Sequence, residues 1–229
     1  MWAGGKNKML KKYQSVGALP EKYNRYLEPF MGGGAMFIWA YNKNPEAEFY
    51  VNDLNAGIMS IYEAIKNDVK GFTSYMDEMS KLYGRFGTPA GLLNQKDKVY
   101  DKENVMKWHK ALQKCTLMTG DFAETQKHVT ADSYVFLDPP YRGSFTQYGV
   151  DFDDKIQQSV IEYLNQATSK GAYAMMSNRD IHDGFFEARR GNNNILYFDV
   201  TYTAGRRKKN EDGTHSAKKA REILMIGVK

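Results

Sequence analysis

The stretch that decides the fold is Tyr134-Val135-Phe136-Leu137-Asp138-Pro139-Pro140-Tyr141, in which an apolar run leads directly into an acidic residue and two prolines. The first four residues are β-prone and continuously hydrophobic, which is typical of a central parallel strand covered on both faces. Prolines cannot donate to a strand ladder, so pairing must stop near Asp138. The sequence therefore predicts a buried strand whose tip exposes Asp138 and Tyr141.

The tip of this strand combines a carboxylate, the backbone carbonyl of Pro139 and the aromatic plane of Tyr141. These groups suit a flat base with an exocyclic amine, because hydrogen bonds from both N–H groups to fixed acceptors localise the nitrogen lone pair for attack. The ring could stack on a base outside its helix, an interaction typically worth about 1–3 kcal/mol. On these residues alone, a plain strand followed by a proline turn remains an alternative.

A glycine-rich turn, Pro29-Phe30-Met31-Gly32-Gly33-Gly34, lies between a strand predicted at 25–28 and a helix predicted at 35–40. Glycines let the backbone approach a ligand closely, and the first turn of a helix offers unpaired N–H groups. The spacing differs from G-x-G-x-x-G, which favours a nucleoside cofactor over a pyrophosphate one.

The next predicted strand, 48–52, ends at Asp53. An acidic residue in this position contacts ribose hydroxyls in nucleotide-binding sheets. Asp53 could also cap the helix that begins near Asn55, and both roles are compatible.

Strands and helices alternate along most of the chain, with further strands predicted at 116–118 and 172–176. This alternation predicts an α/β fold with a parallel sheet, whose ligands gather at the carboxyl ends of the strands. Polar residues follow five predicted strands, which indicates a shared cleft: Glu28, Asp53, Asp121, Asp138 and Asn178.

Five segments in fixed order resemble the Dam-type family of DNA adenine-N6 methyltransferases: Trp2-Ala3-Gly4-Gly5-Lys6, Glu28-Pro29-Phe30 with Gly32-Gly33-Gly34, Asn52-Asp53, Gly120-Asp121-Phe122 and Asp138-Pro139-Pro140-Tyr141. The resemblance spans nearly the whole chain. It implies S-adenosylmethionine as methyl donor and a class I methyltransferase fold, which is a doubly wound, Rossmann-like mixed sheet with an antiparallel last strand. It also implies a small, mainly helical target-recognition insertion.

The resemblance also implies roles for individual residues. The cofactor would contact Trp2, Lys6, Phe30, Gly32, Gly34, Asp53, Asp121, Phe122 and Asp138. Among these, Lys6 would pair with the methionine carboxylate, Asp53 with the ribose, and Asp121 and Phe122 with the donor's adenine. Asp121 could instead serve only as a helix N-cap.

The catalytic residues implied are Asp138, Pro139 and Tyr141, which act in a direct in-line transfer without a covalent enzyme intermediate. Cys115, the single cysteine, lies apart from a catalytic proline, which disfavours the thiolate route to cytosine C5. The alternatives are the same fold acting on RNA adenine, cytosine N4 or a glutamine amide, and a non-catalytic DNA-binding module.

Basic residues cluster between two strands predicted near the C-terminus, and the net charge of the chain is +5. A long hairpin arm could carry them to DNA phosphates, although a solvated loop would have the same composition. The candidate DNA contacts are Arg206, Arg207, Lys208 and Lys209 in the arm, Arg85, Lys96 and Lys98 in the insertion, and Tyr148 after the catalytic strand.

The 229 residues, 42% of them hydrophobic, suit one domain with one insertion. We expect a catalytic S-adenosylmethionine-binding domain at 1–54 and 115–229, with the recognition insertion at 55–114. Four scattered histidines predict no metal site. The sequence has neither a signal peptide nor an apolar span of membrane length, so a cytoplasmic, prokaryotic or viral-type context is expected. Double-stranded DNA is the expected partner, and a cognate restriction nuclease could accompany it.

Overall fold

A seven-stranded mixed sheet organises the fold, with the strand order β3-β2-β1-β4-β5-β9-β6. The computed structural model describes residues 6–86, 100–143, 152–202, 208–209, 215–216 and 218–228. The strands of the sheet are β1 (Arg25–Glu28), β2 (Glu48–Asp53), β3 (Cys115–Thr119), β4 (Ser133–Leu137), β5 (Tyr173–Asp180), β6 (Asn194–Tyr202) and β9 (Lys218–Ile226). A separate two-stranded ribbon pairs β7 (Lys208–Lys209) with β8 (His215–Ser216).

The helices of the described residues are α1 (Asn7–Ser15), α2 (Ala35–Lys43), α3 (Ala56–Asn67), α4 (Val69–Phe86), α5 (Lys102–Leu112), α6 (Asp154–Ser169) and α7 (Phe185–Arg189), with a 3₁₀ helix at Phe122–His128. Several begin at side chains that accept hydrogen bonds from the first turn. Asn55 caps α3, Asp101 caps α5 and Asp153 caps α6. Such caps satisfy N–H groups that would otherwise lack partners, which explains where these helices begin.

Helices cover both faces of the sheet. Along β4, Tyr134 and Phe136 face the cluster that also contains α1, α2, α3 and α5, whereas Val135 and Leu137 face α6 and α7. Every residue of β4 is buried. The prediction of a central strand covered on both faces is therefore confirmed, and it explains why the run is apolar without alternation.

The sheet has the predicted class I methyltransferase topology. Strands β1 to β5 are parallel neighbours, and β9 is antiparallel to both β5 and β6. The antiparallel last strand thus lies between two strands rather than at the sheet edge. The doubly wound, mixed sheet predicted from the sequence is confirmed.

Two details differ from the sequence prediction. β5 does not end before Asn178 but continues to Asp180, because β9 pairs with it over this extension. The spacing of Ile58, Ile61, Tyr62 and Ile65 predicts one apolar face for α3, but Ile61 is 48% exposed. Both outcomes depend on packing partners that are distant in the sequence.

The predicted insertion, 55–114, contributes to the body of the fold. The residues Ile58, Met59, Tyr62 and Ile65 of α3 and Ala111 and Leu112 of α5 are buried in the cluster on one face of the sheet. Residues 87–99 lie outside the described part of the chain. A target-recognition role for this region stays a prediction. In the part of the chain that the structure describes, no helix has the length and apolarity needed to cross a bilayer.

Candidate active site

The residues predicted to carry the chemistry meet where β1 and β4 end side by side. The chain leaves β1 towards α2 on one face of the sheet and leaves β4 towards α6 on the other. Connections that diverge in this way open a crevice at the carboxyl ends of the two strands. The glycine turn and the Asp138 segment both begin at this crevice.

Asp138 is held by two groups on the same carboxylate oxygen. The Ser177 hydroxyl donates to Oδ1 at 2.6 Å, and the Lys6 ammonium lies 2.8 Å from Oδ1. Among the described residues, no other group contacts the carboxylate, and its side chain is 20% exposed. Oδ2 is therefore available as an acceptor, while Oδ1 fixes the orientation of the group.

Tyr141 is fixed by its hydroxyl. The Lys6 ammonium donates to this oxygen at 2.5 Å and lies 4.5 Å from the ring centroid. The hydroxyl in turn donates to Oε2 of Glu222 at 3.1 Å. Lys6 thus connects the two candidate catalytic side chains, and Glu222 anchors one of them from β9.

Lys6 is buried with these partners. Burial by itself would lower the pKa of Lys6, but the nearby charges of Asp138 and Glu222, together with the Tyr13 phenol, raise it above its ordinary value. Lys6 is therefore a cation at neutral pH. In this structure the Lys6 ammonium is bound to Asp138 and Tyr141. Its contact with the cofactor carboxylate stays a prediction.

The glycine turn is bound to the end of β2. The Gly32 N–H donates to Oδ2 of Asp53 at 2.7 Å, and the Tyr62 hydroxyl donates to the Gly32 carbonyl at 2.8 Å. Gly34 has a φ of +59°, and a Cβ there would lie 2.5 Å from Cη2 of Trp108. Only glycine fits this position, both for its left-handed backbone and for its contact with α5.

Asp121 fills the capping role considered as an alternative, whereas Asp53 does not, because Asn55 is the N-cap of α3. Oδ1 of Asp53 accepts from the Asn55 N–H at 2.9 Å, and Oδ1 of Asp121 accepts from the Ala123 N–H at 2.8 Å. Carboxylate oxygens can accept further bonds, so these contacts do not conflict with ligand binding. The Phe122 ring stacks on Phe30 at 5.1 Å, which places two aromatic faces beside the turn.

Glu28 has a different environment from the one expected. It is 2% exposed, and the Tyr26 hydroxyl donates to it at 2.9 Å. Burial raises its pKa well above the ordinary value of a carboxyl. Glu28 is therefore part of the interior rather than a wall of the cleft.

Sequence reasoning assigned no role to two polar residues at this site. Asn52 donates from its amide to the carbonyls of Pro29, at 3.1 Å, and Gly120, at 2.9 Å, and so connects the glycine turn to the residues before Asp121. Glu222 follows a basic run and precedes Ile223-Leu224-Met225. An acidic residue at the start of an apolar strand was the available signal for it.

Cys115 is an unreactive interior thiol. Burial raises its pKa to about 12, so the thiol stays protonated at neutral pH. In the described ranges, no group of three or more His, Cys, Asp or Glu side chains could hold a metal ion.

Several candidate residues cannot be placed. Trp2, Lys96, Lys98, Tyr148, Arg206 and Arg207 lie outside the described residues. Arg85 is in α4, and Lys208 and Lys209 form β7, but only their backbone positions are described. The cofactor contact of Trp2 and the DNA contacts of the other residues stay predictions.

The fold and the crevice define a class I methyltransferase. A similar solved structure is the precorrin-6y C5,15-methyltransferase from Geobacter metallireducens GS-15, with a TM-score of 0.51 and 10% identity over 97% of this chain and 88% of that one. At this identity the likeness concerns the fold alone.

The family follows from the sequence comparisons. The model of the D12 class N6 adenine-specific DNA methyltransferases matches residues 2–82 and 78–187, and the chain belongs to this family. Similar proteins include the type II methyltransferase M.MjaIII of Methanocaldococcus jannaschii, 26% identical over 84% of this chain and 87% of that protein. Another is the DNA adenine methylase of Haemophilus influenzae, 26% identical over 74% of each chain. The predicted class of enzyme is confirmed: the chain is an adenine-specific DNA methyltransferase that uses S-adenosylmethionine.

Proposed function

We propose that this enzyme methylates N6 of an adenine that has been turned out of double-stranded DNA into the crevice between β1 and β4. The observation that carries the proposal is the state of Asp138, which is anchored through Oδ1 and leaves Oδ2 available at the tip of a buried strand. A fixed acceptor in a largely buried site can hold the amine in the geometry that localises its lone pair. Base flipping brings the amine within reach of this acceptor.

The proposed roles follow from the contacts. Oδ2 of Asp138 and the carbonyl of Pro139 accept the two N–H groups of the adenine amine. The Tyr141 ring, oriented by Lys6 and Glu222, stacks on the base. The new N–C bond forms as the S–C bond of the donor breaks, and one amine proton is released to solvent. Because positioning dominates, no nucleophilic side chain is needed.

We propose that S-adenosylmethionine, which supplies a methyl group activated by a positive sulfur, binds in the same crevice. The glycine turn leaves backbone exposed beside β2, where Asp53 has acceptor capacity left for ribose hydroxyls. Phe30 and Phe122 offer aromatic surface for the adenine ring, and Asp121 lies next to them. We therefore assign Gly32, Gly34 and these four residues to the donor site, with Trp2 as an additional contact.

Other parts of the proposal concern the DNA and its recognition. The hairpin arm, defined as residues 203–217 between β6 and β9, would contact phosphates, and residues 55–114 would contribute to target recognition. Tyr148 would provide a second stacking surface. A cognate restriction nuclease is a reasonable partner, because relatives such as M.MjaIII are named type II methyltransferases.

The test is methyl transfer from labelled S-adenosylmethionine to duplex DNA by the full chain and by Asp138→Ala. Loss of one preorganised partner of the transition state should lower the single-turnover rate about 100-fold or more, while DNA affinity changes little. Asp199→Ala is the matched control, because Asp199 is exposed on β6. We expect this control to keep the wild-type rate.

Parallel incubations with RNA and with duplexes that contain cytosine but no adenine separate the alternative substrates. Transfer to RNA alone, or to N4 of cytosine, would contradict the proposed substrate. A wild-type rate in Asp138→Ala would remove Asp138 from the mechanism.

A further inference from the structure

Two buried amide side chains lie behind the Asp138 segment. Gln157 is on α6 and Asn178 is on β5, and both are fully inaccessible to solvent. On α6, Gln157 is close in sequence to Val160, Ile161 and Leu164, which form the apolar cluster on this face of the sheet. Amide groups at such positions carry a desolvation cost that only hydrogen bonds can offset.

The two amides are joined to each other and to the backbone on both sides of Tyr141. Gln157 donates from Nε2 to the carbonyl of Pro140 at 2.7 Å. Asn178 accepts from the Arg142 N–H at 3.0 Å through Oδ1 and donates to Oε1 of Gln157 at 2.9 Å. The pair therefore grips the peptide group that precedes Tyr141 and the one that follows it.

The two prolines before Tyr141 explain why side chains, and not a neighbouring strand, bind the backbone of this segment. Pro139 and Pro140 have no N–H, so this segment cannot continue the sheet ladder beyond β4. The Pro140 carbonyl and the Arg142 N–H are backbone groups that flank Tyr141, and each is bound by one amide. These bonds therefore hold the backbone on both sides of Tyr141, in addition to the contacts made by its hydroxyl.

An amide is required at both positions. Gln157 must donate to a carbonyl and accept from Asn178, and Asn178 must accept from backbone N–H groups and donate to Gln157. Asn178 Oδ1 also accepts from the Arg179 N–H at 2.8 Å, so both of its acceptor positions are used. An ionised carboxylate has no donor, so Glu or Asp of the same shape would break the chain of bonds.

We infer that Gln157 and Asn178 are positioning residues for methyl transfer, which fix the backbone of Tyr141 so that its ring faces the target base. The inference rests on the proposed function, because it requires that Tyr141 stacks on the adenine. It goes beyond that proposal, since neither residue lies in the crevice. The pair should control the rate of the chemical step and not the affinity for DNA or for the cofactor.

The test compares Gln157→Glu and Asn178→Asp with two matched controls. Gln158→Glu changes the neighbouring, half-buried glutamine of α6, which donates to Glu162 at 3.2 Å. Asn193→Asp disrupts another amide pair, in which the buried Asn193 donates to the exposed Asn165 at 2.6 Å. Among the described residues, Asn193 has no hydrogen bond to the Tyr141 segment. Single-turnover methylation of duplex DNA at saturating S-adenosylmethionine, Kd for DNA, Kd for S-adenosylmethionine and Tm are measured for each variant.

We expect the single-turnover rate to fall at least tenfold in Gln157→Glu and in Asn178→Asp, with both Kd values within twofold of wild type. Asn193→Asp should lower Tm while its rate stays at the wild-type value. Gln158→Glu should also keep the wild-type rate, with a small loss of Tm because it places a second carboxylate beside Glu162. Combining the two site substitutions should lower the rate little further, because the residues act as a unit.

Equal rate losses in Asn193→Asp and Asn178→Asp would overturn the inference, because the pair would then only stabilise the fold. A wild-type rate in Gln157→Glu would overturn it as well. If Gln157→Glu does not fold, Gln157→Met takes its place, because it removes the hydrogen bonds without adding a charge. Its single-turnover rate must then be at least tenfold below that of the wild type.

Asp138→Ala in the same assay separates the two proposals. If Asp138→Ala retains the wild-type rate, the proposed function fails. If it is inactive while both amide variants are fully active, only the positioning role is wrong.

Discussion

The Tyr141 hydroxyl lies between a cation and a carboxylate, since it accepts from Lys6 and donates to Glu222. Glu222 is 4% exposed, and a buried carboxylate is stable only with partners that compensate its lost hydration. The contact therefore stabilises Glu222 and restricts the Tyr141 ring at the same time. A carboxylate that never touches substrate could still set the geometry of the aromatic contact.

We predict that Glu222→Gln retains most of the methyl-transfer rate, because the amide oxygen still accepts from Tyr141. Glu222→Leu should lower the single-turnover rate about tenfold, since the hydroxyl loses its acceptor and the ring its anchor. Glu187→Leu is the control, because Glu187 accepts from the Tyr197 hydroxyl at 2.5 Å in an exposed tyrosine–glutamate pair. An equal loss in Glu222→Gln and Glu222→Leu would show that charge, rather than the hydrogen bond, matters.

At this scale the sequence predicted Asp138 and Tyr141 but not the residues that hold them. A carboxylate after an apolar strand and before two prolines is a local pattern. Glu222 is 81 positions from Tyr141, and Ser177 is 39 positions from Asp138. A polar residue inside a predicted strand or helix indicates that a partner exists, but the partner is set by tertiary packing.

Between elements, α5 packs closely against the start of α2. Gly34 has a left-handed backbone and precedes α2, and Trp108 of α5 packs where a side chain at Gly34 would be. Trp108 also stacks on Tyr62, whose hydroxyl holds the glycine turn from α3. Helices from the predicted insertion thus shape the glycine turn from outside the crevice.

Gly34→Ala should lower Tm and weaken S-adenosylmethionine binding. The left-handed conformation costs a non-glycine residue about 1–3 kcal/mol, and the new methyl group must also displace Trp108. Gly17→Ala is the matched control: Gly17 has a φ of +66°, with no atom within 4 Å of its Cβ position. It should show a loss of Tm alone, measured by thermal denaturation, with unchanged cofactor Kd by calorimetry. Equal cofactor Kd values in the two variants would argue against a steric role for Trp108.

Most helices and strands were predictable from the sequence. The bounds that differ from the prediction are those set by pairing with distant parts of the chain. β1 occupies the predicted residues, because Arg25-Tyr26-Leu27-Glu28 is bounded by turn residues. β5 extends further than predicted because β9 pairs with it up to Asp180. The residues after Asp121 form a 3₁₀ helix, a short form that hydrophobic periodicity cannot distinguish from an α-helix.

Over the whole molecule, strand–helix alternation predicted a parallel sheet with a cleft at the carboxyl ends of its strands, and the family resemblance implied a doubly wound sheet with an antiparallel last strand. Alternation could not predict that β9 lies between β5 and β6, because strand order depends on long-range pairing.

The pairing of β6 with β9 determines where the basic residues between these strands leave the sheet. β6 and β9 pair over nine residues, from Asn194 with Ile226 to Tyr202 with Lys218, so the hairpin arm leaves one well-paired ribbon.

The arm continues in β7 and β8, where Lys208 pairs with Ser216 and Lys209 with His215. Neutral glutamines at Arg206, Arg207, Lys208 and Lys209 should therefore weaken DNA binding by removing phosphate contacts. Each contact contributes a slope of about −0.9 to log K against log salt concentration, so the slope should become shallower by about 3 to 4. Titrations of labelled duplex DNA over a range of salt concentrations measure this directly.

The control for this prediction removes the same charge elsewhere. Lys11, Lys22, Lys43 and Lys155 are exposed, and they belong to or flank elements on both faces of the sheet. Four glutamines at these positions should leave the slope nearly unchanged, because distant charges act only through the screened field of the whole protein. If both variants flatten the slope equally, net charge rather than the arm determines binding. If the arm variant keeps the wild-type slope, the basic residues of the hairpin do not contact phosphate.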